Sequence, residues 1–236
     1  MPMSNSWFKF KQFIIEQDKC SMKVGTDGVL LGAWFPLEAG CSVLDIGTGT
    51  GLVALVAAQR GAGRVTAVEI DPDAAEQARV NAANSPWADR ISVQCTDVAD
   101  FRTECRFDRI VCNPPYFRDS LRCPDSGRNT ARHNDALSFE NLTLYASGLL
   151  ADDGLLSLVL PFDSVADFMK CAVSQGFDVC RRTDVITASG KSPKRSLVVF
   201  GKHCPAFETG TLTMFGPDGK ETPEYLALVK DFYLKY

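Results

Sequence analysis

The chain has 236 residues, enough for one α/β unit with small additions and for a sizeable buried core. Hydrophobic residues make up 45% and charged residues 23%, which excludes a disordered or fibrous chain, and no apolar run is long enough for a bilayer span or a signal core, so a soluble cytoplasmic protein is expected. The net charge of −4 does not advertise a nucleic-acid binder, yet basic residues gather around Lys9, Lys11, Lys19 and Lys23, around Arg118, Arg122, Arg128 and Arg132, and from Arg181 to Arg195.

An N-terminal extension over 1–41 leaves room for a short strand and a helix. The first clear strand is Val43–Ile46, a short apolar run stopped by glycines, and Gly51–Gln59 has the composition of a helix. Val65–Ile70 reads as the second strand. Pro72–Asn84 follows as a helix opened by Asp71 at its N-cap and Pro72 in its first turn. Ile91–Cys95 and Phe107–Cys112 are the third and fourth strands. Beyond a polar stretch from Phe117 to Asn134, Ser138–Leu150 is helical, Gly154–Leu160 is the fifth strand and Ser164–Gln175 another helix. Single helices between strands imply right-handed crossovers and a mostly parallel sheet covered on both faces. Val179–Ile186 and Ser196–Phe200 break that rhythm, so a seven-stranded sheet with one antiparallel edge strand is expected. Residues 42–202 then form the core of a single domain, and 203–236 a hairpin and helix tail in which Thr222 and Pro223 open the final helix.

The nine cysteines are scattered, odd in number and free of any Cys-x-x-Cys pair, which argues against a secreted disulfide framework or a zinc ribbon. With His133 and His203 the chain's two imidazoles, a metal site would need unclustered ligands, and none is expected.

Between the first strand and its helix lies Asp45-Ile46-Gly47-Thr48-Gly49-Thr50-Gly51. Glycines at 47, 49 and 51 permit positive φ and close approach of backbone to a ligand, and the helix start offers free N–H groups. Gly51-Leu52-Val53 stands where a phosphate-binding loop would need Gly-Lys-Ser/Thr, which argues against nucleoside-triphosphate hydrolysis. Glu69 at the end of the second strand is placed to accept hydrogen bonds from ribose hydroxyls. That pair marks a nucleoside cofactor without separating NAD from S-adenosylmethionine. Asp97, just after the third strand, is placed to bond an adenine amino group, or else it is a turn residue.

The fourth strand runs into Asn113-Pro114-Pro115-Tyr116, and this motif tips the choice to S-adenosylmethionine and to a planar nitrogen as acceptor. An exocyclic amine is a poor nucleophile because its lone pair is delocalised. The Asn113 carboxamide oxygen and the Pro114 carbonyl can accept its two N–H bonds and draw the nitrogen towards a pyramidal shape, which is positioning and preorganised hydrogen bonding with no strong base or metal. Two prolines fix φ and leave carbonyls free. Tyr116 offers a π face on which an extruded base stacks, worth about 1–3 kcal/mol.

The successive motifs Val43–Leu55, Glu69, Asp97 and Asn113–Tyr116 resemble those of class I methyltransferases, whose fold is Rossmann-like. Phe8-x-Phe10-x-Gln12-Phe13, the run from Met22 through Lys23, Thr26 and Asp27 to Trp34, Ala131-Arg132-His133 and Pro223-Glu224-Tyr225 are similar to the bacterial tRNA1(Val) (adenine(37)-N6)-methyltransferases. The resemblance covers nearly the whole chain, and the N-terminal run is its specific part. It implies S-adenosylmethionine as cofactor, adenosine 37 of tRNA1(Val) as substrate and tRNA as partner. It also implies that Lys23, Thr26 and Asp27 lie near the methionine end of the cofactor, and that Asp45 approaches the methionine amino group or, alternatively, braces the glycine loop. Where the family commonly has an acid after the Arg-His pair, this chain has Asn134 and then Asp135. Pro115, Tyr116, Phe117, Arg128, Arg132 and Lys9 are the expected contacts to RNA.

Three rivals bound this reading. A protein glutamine methyltransferase also presents Asn-Pro-Pro-Tyr to a planar nitrogen, but would carry a helical domain ahead of the glycine motif, where only a short extension fits. A non-catalytic, cofactor-sensing RNA-binding protein would not need Asn113. An NAD-dependent oxidoreductase would bind NADH in preference to S-adenosylhomocysteine.

Overall fold

The computed structural model describes residues 5–114 and 137–236. The main sheet has eight strands. β3 (Ser42–Ile46), β4 (Arg64–Glu69), β5 (Ile91–Cys95), β6 (Phe107–Cys112), β7 (Leu150–Pro161), β8 (Asp178–Ala188), β9 (Arg195–Gly201) and β10 (Glu208–Phe215) lie in the order β10-β8-β9-β7-β6-β3-β4-β5. A separate antiparallel hairpin, β1 (Trp7–Lys9) with β2 (Ile14–Glu16), precedes them.

Two features depart from the sequence expectation. The strand running against the rest, β9, lies inside the sheet, antiparallel to β7 on one side and β8 on the other. The edge beyond β8 is then taken by β10, which pairs with it in parallel and raises the count from seven to eight. Glu208-Thr209-Gly210-Thr211 is exposed along its whole length, so this half of β10 lacks the apolar alternation by which a strand is read from sequence. The interior of the sheet is easier to read because β3 and β9 are buried almost throughout.

The helices are α1 (Thr26–Trp34), α2 (Leu52–Gln59), α3 (Pro72–Ala83), α4 (Phe139–Leu149), α5 (Val165–Ser174) and α6 (Pro223–Val229). Asp71 and Thr222 cap their helices as expected, and Ser138 does the same for α4. Asp71 accepts from the amides of Asp73 and Ala74, Ser138 from Asn141 and Thr222 from Tyr225, each meeting N–H groups that a helix start leaves without partners. The last helix ends at Val229, seven residues long.

One face of the sheet is covered by α1, α2, α6 and the hairpin, around Phe10, Ile15, Leu31, Phe35 and Val56; the other by α4 and α5, around Phe168, Phe177 and Phe200. α2 is apolar and buried nearly all round, because it is enclosed between the sheet and α1. Gly28 and Gly32 make that approach possible. A Cβ at Gly32 would lie 2.9 Å from the Val56 side chain and one at Gly28 3.0 Å from that of Leu52, so the two glycines form one bare stripe along α1.

Cys180 on β8 and Cys204 after β9 form a disulfide, a pairing across neighbouring strands that the spacing of the cysteines does not signal. Among the described residues no three or more His, Cys, Asp or Glu side chains cluster to hold a metal ion, and no helix is long and apolar enough to cross a membrane.

Candidate active site

Four loops leave neighbouring strands at one edge of the sheet. Ile46 pairs with Val68 and with Cys112, and Glu69 pairs with Cys95, so Gly47, Ile70, Thr96 and Asn113 depart at nearly the same level. This is the carboxyl edge, where open α/β sheets receive their ligands.

The glycine loop is held from behind. Gly47 and Thr48 both donate their amides to the Val68 carbonyl, at 2.9 and 3.1 Å, and Gly51 donates to Thr48 at 2.9 Å. Gly47, Gly49 and Gly51 have φ of 68°, 54° and 82°, a region that costs L-residues a Cβ clash. A Cβ built on Gly47 or Gly49 would meet nothing within 4 Å, whereas one on Gly51 would lie 3.4 Å from Ala78 of α3. One side of the loop therefore packs on protein and the other stands open. An open glycine cradle flanked by carboxylates fits a cofactor with a nucleoside and an amino-acid end.

Asp45 is buried and its carboxylate accepts from the Thr48 hydroxyl at 2.6 Å and the Ala54 amide at 3.1 Å, bracing the loop to the first turn of α2. Burial pushes its pKa up to about 7; those two hydrogen bonds pull it down and Glu69 pushes it further up. Glu69 takes the Gly49 amide at 2.8 Å on one oxygen and the Asp71 amide at 3.0 Å on the other. Each carboxylate oxygen keeps a second acceptor direction for a ribose hydroxyl. Asp97 accepts from the Ala99 amide at 2.9 Å, the turn bond of its alternative reading.

Asn113 is half-buried and Pro114 is buried. Position 28 at the start of α1 lies beside the Asn113 carboxamide, since a Cβ there would stand 3.7 Å from its Nδ2. The α1 segment so prominent in the sequence thus borders the strand end that bears Asn113. Its neighbour Asp27 is buried and forms an ion pair with Arg195 at the start of β9. Burial raises the Asp27 pKa and Arg195 lowers it. Thr26 and Lys23 are exposed, with Lys23 Nζ 3.4 Å from the Asn5 carbonyl. Lys9 stands exposed on the outer face of the hairpin, cross-strand from Ile14 and on the same strand as Trp7. Pro115, Tyr116, Phe117, Arg128 and Arg132 lie outside the described residues.

Several participants give little sign of themselves in the sequence. Thr48 and Thr50 read as spacers between glycines. Gln77 and Asn81 look like ordinary helix polars, though they stand four residues apart and so share one face of α3; both are buried, at 2% and 1% exposure. Arg195 reads as part of a basic cluster, with no signal that its partner lies at Asp27.

The family model for the methyltransferase small domain matches residues 21–160. A tRNA1(Val) (adenine(37)-N6)-methyltransferase of Bacteroides fragilis is 49% identical over 236 residues, covering 99% of this chain and 100% of that protein. One of Yersinia enterocolitica is 42% identical over 233 residues, covering 97% and 93%. Among solved structures, a predicted O-methyltransferase of Agrobacterium tumefaciens superposes with a TM-score of 0.70 at 25% identity, covering 87% of this chain and 96% of that one. A ribosomal protein L11 methylase of Lactobacillus delbrueckii shares the fold, with a TM-score of 0.54 at 20% identity over 75% and 77% of the two chains.

Proposed function

Because the chain belongs to the methyltransferase small-domain family, and within it to the tRNA1(Val) (adenine(37)-N6)-methyltransferases, we propose that it methylates the N6 amine of adenosine 37 in the anticodon loop of tRNA1(Val), in the cytoplasm. The observation that carries this reading is the departure of the glycine loop and of Asn113 from adjacent, registered strand ends, Ile46 beside Cys112.

The cofactor is S-adenosylmethionine, which when bound supplies a methyl group on a positively charged sulfur. The loop 47–51 receives it on its open side, with Glu69 accepting from the ribose and Asp97 from the adenine amine. Asp45 and Asp27 face its amino-acid end, with Lys23 near the carboxylate. Asn113 Oδ1 and the Pro114 carbonyl accept the two N–H bonds of the target amine, so the nitrogen lone pair is turned out of the ring plane towards the donor. Held in this way, the amine would be presented to the methyl group that the cofactor would supply, and the methylated nitrogen would give up its extra proton to water. A carboxamide and a carbonyl suffice because the donor is already activated and the task is orientation. Tyr116, between Pro115 and Phe117, stacks the extruded base, and Lys9, Arg128 and Arg132 hold phosphates.

A base already in a loop costs less to extrude than one in a duplex, where a few kcal/mol is needed. The test is to incubate the enzyme and labelled cofactor with total tRNA from a strain lacking the gene, then locate the label by nuclease digestion and mass spectrometry. N6-methyladenosine at one anticodon-loop position is expected; label in guanosine, duplex DNA or protein glutamine refutes the reading.

A further inference from the structure

The Asn81 carboxamide makes three hydrogen bonds from a position 1% exposed to solvent. Its Oδ1 accepts the Glu16 amide at 2.8 Å, and its Nδ2 donates to the Glu16 carbonyl at 2.8 Å and the Thr50 carbonyl at 2.9 Å. One side chain of α3 therefore joins the end of the hairpin, through both backbone groups of Glu16, to the middle of the glycine loop. One turn earlier, Gln77 accepts the Lys19 amide at 3.1 Å and makes no such link to the loop.

The Thr50 bond falls where the loop is most sensitive. Thr50 C=O and Gly51 N–H belong to one peptide plane, whose N–H donates to Thr48 while its C=O accepts from Asn81. Both ends of a planar unit are thus fixed, and this peptide, which leads into Gly51 at the N-cap of α2, cannot flip without breaking one of them. The chain beyond Glu16 is latched as well: Gln17 accepts the Val24 amide at 2.8 Å, immediately before α1 and Gly28.

We propose that Asn81 is a positioning residue for the methyl transfer: its carboxamide sets the Thr50–Gly51 peptide of the cofactor loop and the N-terminal segment in one fixed relation, so that cofactor and target base meet at Asn113. Neither aliphatic nor charged residues replace it. An aliphatic one leaves the buried Thr50 carbonyl and the Glu16 carbonyl and amide without this partner, and a carboxylate would face two carbonyl oxygens.

This inference rests on the cofactor reading of the glycine loop, so wild-type enzyme is first titrated with S-adenosylhomocysteine; absence of binding there would refute that reading itself. Asn81→Ala and Gln77→Ala are then compared at a temperature where circular dichroism shows both folded. Asn81→Ala is expected to raise the dissociation constant about tenfold, the scale of one buried hydrogen bond, and to slow single-turnover methylation at saturating cofactor and tRNA. Gln77→Ala should change the constant by less than about threefold. If Asn81→Ala does not fold, Asn81→Asp serves: its affinity should recover as the pH falls and the carboxyl becomes a donor to Thr50, relative to wild type over the same range. Equal effects of the two alanine variants would overturn the proposal, as would a lowered melting temperature with wild-type affinity and rate, or an Asn81→Asp profile parallel to wild type.

Discussion

Glu69 holds Gly49: the carboxylate at the end of β4 accepts the amide of the central glycine of the cofactor loop at 2.8 Å. The acid expected to receive a ribose therefore also shapes the loop against which that ribose lies. Glu69→Ala removes both, and hydrogen bonds to a charged group contribute about 1.5–3 kcal/mol each. Calorimetry with S-adenosylhomocysteine should show the dissociation constant raised at least tenfold, with a smaller rise for Glu69→Gln, which keeps one acceptor. Wild-type affinity in Glu69→Ala would place the nucleoside elsewhere.

Asn113→Ala separates binding from chemistry. If Asn113 accepts from the target amine as proposed, its hydrogen bonds strengthen as the nitrogen becomes pyramidal, so their loss is felt in the transition state more than in cofactor binding. Single-turnover rates should fall at least tenfold, about 1.4 kcal/mol, while S-adenosylhomocysteine affinity stays within about threefold. An unaltered rate removes Asn113 from the mechanism.

The parts of this molecule that are legible in its sequence are those with local causes. Asp71-Pro72 announces a helix start, glycines at 47, 49 and 51 announce a turn that needs positive φ, and β3 announces a buried strand by its apolar run. What stays hidden depends on partners far away in the chain. Nothing around Asn81 says that its amide meets Glu16 and Thr50, and nothing around Asp27 names Arg195. The place of β9 inside the sheet follows from β8 pairing on its far side, and the edge beyond β8 is taken by β10, whose pairing carries no apolar alternation over Glu208–Thr211. The Gly28/Gly32 stripe lies in view within a run notable for its resemblance, yet its use, the close seating of α1 on α2, needs the positions of Leu52 and Val56.

Lys9 and Arg132 offer a test of the RNA path on residues proposed to hold phosphates. On single-stranded RNA, each phosphate that a basic side chain no longer neutralises lowers the slope of log affinity against log salt by roughly 0.7. Lys9→Ala with Arg132→Ala should therefore flatten the slope by about 1.4 if both touch phosphates, twice the value for one. An unchanged slope assigns them to a merely solvated surface.

Asp45 predicts a pH dependence whose sign follows from its burial. Its folded pKa, raised to about 7, lies above the ordinary carboxylate value near 4 of an unfolded chain. The folded state therefore binds the proton more tightly, and this group's contribution to stability is full below the unfolded pKa and is lost as the pH rises through the folded value. Thermal melts of the cofactor-free protein should fall between about pH 4 and pH 7 by more than those of Asp45→Asn, which has nothing to titrate there yet can still accept from Thr48 and Ala54. Binding should run the other way. If the carboxylate faces the amino group of the cofactor, as proposed, that cation favours the ionised form, so affinity for S-adenosylhomocysteine rises as the pH passes through about 7. Asp45→Asn should bind more weakly than wild type at pH 8 and should lose most of that rise. A variant that keeps the wild-type affinity profile while its melts lose their pH dependence would make Asp45 a brace of the glycine loop and nothing more.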